Sequence, residues 1–165
     1  ELCAALQHYM LQTIQAHPVF VRSLTRDSIT VHPPLGIFKN LVLEKSGDNT
    51  KTLDIKRNAL TLIVDLARIY GLSAGSDETG TEQRFDAARR AGLLSEESFN
   101  NILGAYRFIA SVRYRQQQLA LRQGLTPNNR IAPDQFGSFE RKHLKDAFRI
   151  IADLQDFAKL RFLKE

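Results

Sequence analysis

The segment from Asp54 to Leu72 constrains the fold more than any other part of the chain. Ala59, Leu60, Leu62, Ile63, Val64, Leu66, Ala67, Ile69 and Tyr70 cover most of the circumference of a helix. A helix that is apolar nearly all round belongs in the middle of a bundle, because no face of it suits water. Its polar exceptions, Asn58, Thr61, Asp65 and Arg68, recur at i, i+3, i+7 and i+10, which puts them on one narrow stripe. Such a helix needs partners, and the rest of the sequence supplies them.

Leu2, Leu6, Tyr9, Met10 and Ile14 form a helical stripe over 2–16, broken at His17-Pro18 because a residue before proline avoids the α region. A shorter helix is expected over 19–29. His32-Pro33-Pro34 then forces extended chain. Leu41-Val42-Leu43 and Leu53-Asp54-Ile55 flank Ser46-Gly47-Asp48-Asn49, which reads as two short strands around a turn, with a helical turn over Ile37 to Leu43 as the alternative. A helix from Thr81 ends before Gly92. Ser95 is the expected N-cap of a helix running to about Arg122, with Glu96 and Glu97 complementing its dipole. Its apolar stripe is Phe99, Ile102, Tyr106 and Ile109, and the same spacing continues into Arg113 and Gln117. A final helix, capped by Ser138, presents Leu144, Ala147, Phe148, Ile151, Leu154 and Ala158 as its core face. The expectation is an all-α protein: a bundle of about six helices with one short β-hairpin near residues 38–55.

Composition narrows the function classes. A single cysteine, Cys3, excludes an intrachain disulfide framework and any multi-cysteine metal site. On its apolar face Cys3 is expected to fill core rather than to act as a nucleophile. With no disulfide pressure, no apolar run near the ~20 residues of a membrane span and no signal peptide, a cytoplasmic location is expected, with no membrane partner. The chain does not begin with Met and reads as a piece of a longer protein. Its net charge of +5 is unevenly placed: no acid occurs between Glu97 and Asp134, a stretch holding Arg107, Arg113, Arg115, Arg122 and Arg130. A local excess of cations suits an anionic partner, and equally a helix face whose acids come from neighbouring helices.

Recognisable catalytic chemistry is missing. Neither G-x-x-x-x-G-K-[ST] nor G-x-G-x-x-G occurs, and there is no nucleophile elbow. His8, His17, His32 and His143 share no metal-ligand spacing. Metal-dependent nucleotidyl transfer needs clustered carboxylates, yet no Asp-x-Asp is present; Asp153 and Asp156, at i, i+3, suit surface charge. What remains is a polar set within an apolar bundle. Burying Arg68 unpaired is costly, so Asp65 or a ligand anion is expected beside it. The plainer alternative is a solvated Asp65–Arg68 pair within the helix.

Several runs together carry a resemblance. Leu53-Asp54-Ile55-Lys56-Arg57, Ile63 to Tyr70, Thr81-Glu82-Gln83-Arg84, Arg113-Tyr114-Arg115-Gln116-Gln117, Asn128-Asn129 and Glu140 to Lys145 occur in that order. The sequence resembles the putative nucleotidyltransferase substrate-binding domain family, over roughly 33–162. The resemblance implies a helical domain, residues 33–165, preceded by a helical linker, residues 1–32, from an upstream nucleotidyltransferase domain similar to that of protein-PII uridylyltransferase. It implies a bacterial signal-transduction protein with CBS or cyclic-nucleotide-binding domains in the same chain. Magnesium and its Asp-x-Asp ligands are then expected upstream, with no cofactor here and no catalysis by these residues. Carried over position by position, Lys56, Arg57, Arg68, Arg113, Arg115 and Asn129 are the expected polar wall, and Asp65 and Gln117 of the polar set complete the substrate- or anion-binding candidates. The family commonly has a His where Gln116 stands; an amide cannot transfer protons, which favours binding over acid–base work at that position.

These readings leave two classes of function open. One is a non-catalytic domain offering a basic pocket to a nucleotide or an acidic protein acceptor, with Arg68 facing Arg113 and Lys56 and Arg115 at the rim. The other is a regulatory helical module that docks protein domains and takes no small-molecule ligand. A homodimer is compatible with both. Nucleic acid is disfavoured, since Tyr106, Phe108 and Tyr114 fall mostly at core spacing and +5 is modest.

Overall fold

The computed structural model describes residues 1–36, 41–43 and 51–163. Its elements are α1 (Leu2–Ala16), α2 (Val19–Ser28), β1 (Leu53–Asp54), a π-helical turn (Lys56–Leu60) leading into α3 (Thr61–Ser73), α4 (Thr81–Arg90), α5 (Glu96–Arg122), β2 (Arg130–Ile131), a short 3-10 turn (Pro133–Gln135) and α6 (Ser138–Phe162). The protein is mainly helical, with one two-stranded antiparallel sheet among the described residues. Packing divides it into two units: Glu1–Thr30, Ile63–Asn101 and Leu154–Glu165 form the first, and Val31–Leu62 with Ile102–Asp153 the second.

The helix boundaries have local causes. Ser95 Oγ accepts the Ser98 N–H at 3.1 Å, the N-cap expected at the head of α5. After α4 the chain turns at Gly92 (φ +73°) and after α5 at Gly124 (φ +69°). In each case the next residue's N–H reaches back five positions, Leu93 to the Ala88 carbonyl and Leu125 to that of Ala120, both 2.9 Å. That closure needs a left-handed residue, which glycine adopts without strain. Ser138 is the first residue of α6 rather than its cap; the Gly137 carbonyl accepts the Arg141 N–H and so opens the helix.

In the first unit Ile63, Leu66, Ala67, Ile69 and Tyr70 of α3 are buried, as are Phe85, Ala88, Leu154 and Ala158. The Tyr70 ring meets Phe162 edge-on at 5.3 Å and Phe85 at 6.4 Å. Two buried polar residues of α2 return their hydroxyls to the helix backbone, Thr25 to Val21 and Ser28 to Thr25, and Gln155 Nε2 donates to the Ser28 carbonyl at 2.9 Å. Most buried polar groups are paired in this way. The α1 stripe departs from expectation: Ile14 alone is buried, while Leu2, Leu6 and Tyr9 are 85%, 65% and 67% exposed. Cys3 is exposed too, so it fills no core in this chain.

In the second unit Leu53, Ile55, Ala59 and Leu62 are buried, with Ile102, Ala105, Ile109 and Val112 of α5 and Leu144, Ala147, Phe148 and Ile151 of α6. The α5 stripe is turned slightly from the expected one: Ala105 and Val112 join it, while Phe99 and Tyr106 stay half-exposed. β1 is the strand expected at Leu53, and its partner is β2, with Leu53 opposite Ile131 and Asp54 opposite Arg130. Leu41 instead makes an isolated bridge with Leu35. The turn expected at Ser46–Asn49 lies outside the described residues.

Candidate functional site

The sheet of the second unit positions the most chemically distinctive cluster. Beyond the β1–β2 register, the Ile55 N–H donates to the Asn129 carbonyl at 2.9 Å, which continues the ladder by one bond. Asn128 Oδ1 accepts the Arg130 N–H at 2.9 Å, an Asx turn that aims the backbone into the strand. With its main chain held, Asn129 presents its side chain to α5. Asn129 Oδ1 accepts from Arg113 Nε at 2.7 Å and from Gln117 Nε2 at 3.4 Å. Arg113 and Gln117 stand at i, i+4 on one face of α5, so a single oxygen can meet both. Two donors converging on that atom also fix which end of the amide faces the helix.

Charge compensation differs sharply among the candidate arginines. Arg115 forms an ion pair with Glu140 of α6 and is neutralised. Arg113 has the Asn129 amide oxygen as its hydrogen-bond partner, and among the described residues no carboxylate pairs with it. A neutral amide satisfies the hydrogen bond and leaves the charge in place. Arg57 and Lys56 open the π-helical turn and are exposed. Asp54 Oδ1 accepts the Arg57 N–H at 2.9 Å, so it is engaged with backbone. A groove of about 430 Å³ elsewhere in this unit is lined by Asp134, Arg141, Lys142 and Lys145 among others, with Arg141 and Asp134 3.8 Å apart. These three cations belong to the run Glu140 to Lys145, whose clustered charges were the available signal for them.

The two remaining candidates lie in the first unit. Asp65 and Arg68 form an intrahelical pair at 2.9 Å, their side chains 35% and 45% exposed. At that exposure the pair contributes at most a few tenths of a kcal/mol. Arg84, not singled out from the sequence, lies over Gly71: a Cβ there would stand 2.9 Å from Arg84 Cγ. Its Nε donates to the Glu78 carbonyl at 2.8 Å. Burial, and then the nearby Arg68 cation, hold the Arg84 guanidinium below its ordinary pKa. The run Thr81 to Arg84 thus carries a cation that sequence spacing could not link to Arg68.

Among the described residues no group of three or more His, Cys, Asp or Glu side chains could hold a metal ion. Nor is any helix among them long and apolar enough to cross a membrane.

Residues 18–162 match the family model described as "Putative nucleotidyltransferase substrate binding domain". No curated protein and no solved structure matches the chain.

Proposed function

The chain belongs to this substrate-binding family, and from that premise we propose that it binds, without transforming, an anionic substrate of a nucleotidyltransferase. Arg113 supplies the charge, Asn129 and Gln117 hold its guanidinium in place, and Lys56 and Arg57 extend the basic surface of the second unit. The ligand is a nucleotide phosphate or the acidic surface of a protein acceptor. The observation that carries this reading is the pairing of Arg113 with a neutral amide: the guanidinium keeps a charge that an incoming oxyanion can take up. In the same reading, the carboxylates and magnesium that perform transfer sit in an upstream domain of a bacterial signalling protein, where CBS or cyclic-nucleotide-binding domains regulate it.

The test is calorimetric titration of nucleoside triphosphates into the 165-residue chain and its Arg113→Met variant. Methionine keeps the helix and much of the volume while removing the charge. Affinity should fall by about tenfold or more, as expected for a charge-assisted contact of ~1.5–3 kcal/mol, with thermal stability nearly unchanged. Unaltered affinity together with a large loss of stability would make Arg113 structural and end the proposal. The exposed apolar residues of α1 favour a second reading, a module that docks another protein domain. Under it no nucleotide binds and Arg113→Met is silent.

A further inference from the structure

The first unit contains a basic recess that plays no part in the function proposed above. It is a cavity of about 370 Å³ lined by Arg22 of α2 and Arg161 of α6, with Gln15 and a wall that includes Ile14, Leu72 and Phe162. Arg22 Nε is buried and has no hydrogen-bond partner. Neither arginine forms an ion pair among the described residues, and no carboxylate is among the described residues lining the cavity. Ser73 also lines it, but its hydroxyl is committed to the Ile69 carbonyl at 2.7 Å. The wall is fixed: Ile14 and Leu72 sit on helices, and Phe162 is held edge-on by the buried Tyr70 ring.

We propose that this recess is a binding site for a phosphomonoester. A buried N–H without an acceptor calls for an oxygen, and two uncompensated guanidinium groups call for negative charge. The two cations match a dianion, whereas a carboxylate would leave one of them unanswered. Guanidinium groups suit the tetrahedral oxygens of phosphate because their N–H groups are arranged as a fork. The apolar wall takes the organic group of the ester. A volume of about 370 Å³ is near the lower end of small-molecule sites, roughly 300–1,000 Å³, which fits a compact ester with one ring rather than a dinucleotide.

Phenyl phosphate, dianionic at pH 7.5, is the probe, titrated into the 165-residue chain by calorimetry and by amide chemical-shift mapping. The expected result is saturable one-to-one binding that shifts the signals of Gln15 and Ser73, both of which line the cavity. Inorganic phosphate should bind more weakly for want of the apolar contact, and benzoate at least tenfold more weakly for want of the second charge. Arg161→Met should weaken phenyl phosphate by about tenfold or more; that side chain is exposed, so the fold tolerates the change. Arg22→Met should do the same, and if it fails to fold, Arg161→Met still decides. Arg113→Met should leave this binding untouched, which separates it from the site of the second unit. Absence of saturable binding, benzoate binding as tightly as phenyl phosphate, or full affinity in Arg161→Met would overturn the proposal. Loss of the phenyl phosphate signal in Arg113→Met would assign that binding to the second unit and overturn it equally.

Discussion

Changing Asn129 to Asp tests the role of Arg113 by giving it the counter-ion it lacks. The substitution is nearly isosteric and leaves the backbone carbonyl of residue 129 free to accept the Ile55 N–H at 2.9 Å. The oxygen that receives Arg113 Nε at 2.7 Å becomes half of a carboxylate. The bond already has an ionised donor, so the change adds only the attraction of an ion pair, about 0.2–1 kcal/mol for a solvent-exposed pair. Arg113 is half-exposed, so the gain expected is at the upper end of that range, about 1 kcal/mol. For a chain of this size that raises Tm by roughly 2–4 °C. The same carboxylate neutralises the guanidinium that an incoming phosphate would meet, so nucleotide affinity should drop by about tenfold or more. The two effects have opposite signs, and a merely damaged fold cannot produce them together. Differential scanning calorimetry and nucleotide titration on one Asn129→Asp preparation read both. Unchanged nucleotide affinity in a stabilised variant would refute the claim that the charge of Arg113 is kept for a ligand.

How much of this was legible beforehand depended on the range of the interaction. Periodicity located α3 and the core face of α6, because Leu144, Ala147, Phe148, Ile151, Leu154 and Ala158 share a helical face whatever lies opposite. Ser95 and Gly92 were legible because caps act within one turn. The strand at Leu53 was legible as a β-prone run, whereas its partner Ile131 lies far along the chain and left no short-range mark. The same applies to the site. The i, i+4 spacing of Arg113 and Gln117 could be read, and so could the Asp65–Arg68 pair as one of two alternatives. That Asn129 Oδ1 would join Arg113 to Gln117, or that Glu140 would take Arg115, follows only from the strand register and the packing of α6. Cys3 and the α1 stripe show the converse limit: an apolar face states that burial would be favourable, not that a partner is present in the chain.

Two further substitutions probe the units separately. Phe148 is fully buried in the second unit, so Phe148→Ala should destabilise the chain by about 3–5 kcal/mol, measured by urea unfolding; a loss below about 1 kcal/mol would contradict a packed core there. In the first unit, burial pushes the Tyr70 hydroxyl from 10.0 up to about 12, with the Arg161 cation opposing part of the rise. Below pH 10 the hydroxyl is neutral in both folded and unfolded chains, and its contribution to stability is intact. As pH rises through 10 the unfolded chain releases this proton while the folded chain retains it, so stability falls until the folded group also ionises near 12. The full loss is roughly 3 kcal/mol at ~1.36 kcal/mol per pKa unit, of which about 2 kcal/mol has gone by pH 11.5. Tyr70→Phe lacks the ionisable group and should escape that part of the alkaline loss. Urea unfolding of both proteins at pH 8 and pH 11.5 measures it: the stability of the parent relative to Tyr70→Phe should drop by about 2 kcal/mol between the two pH values. A relative stability independent of pH would mean that water reaches the hydroxyl and that the ring beside Phe162 is not desolvated.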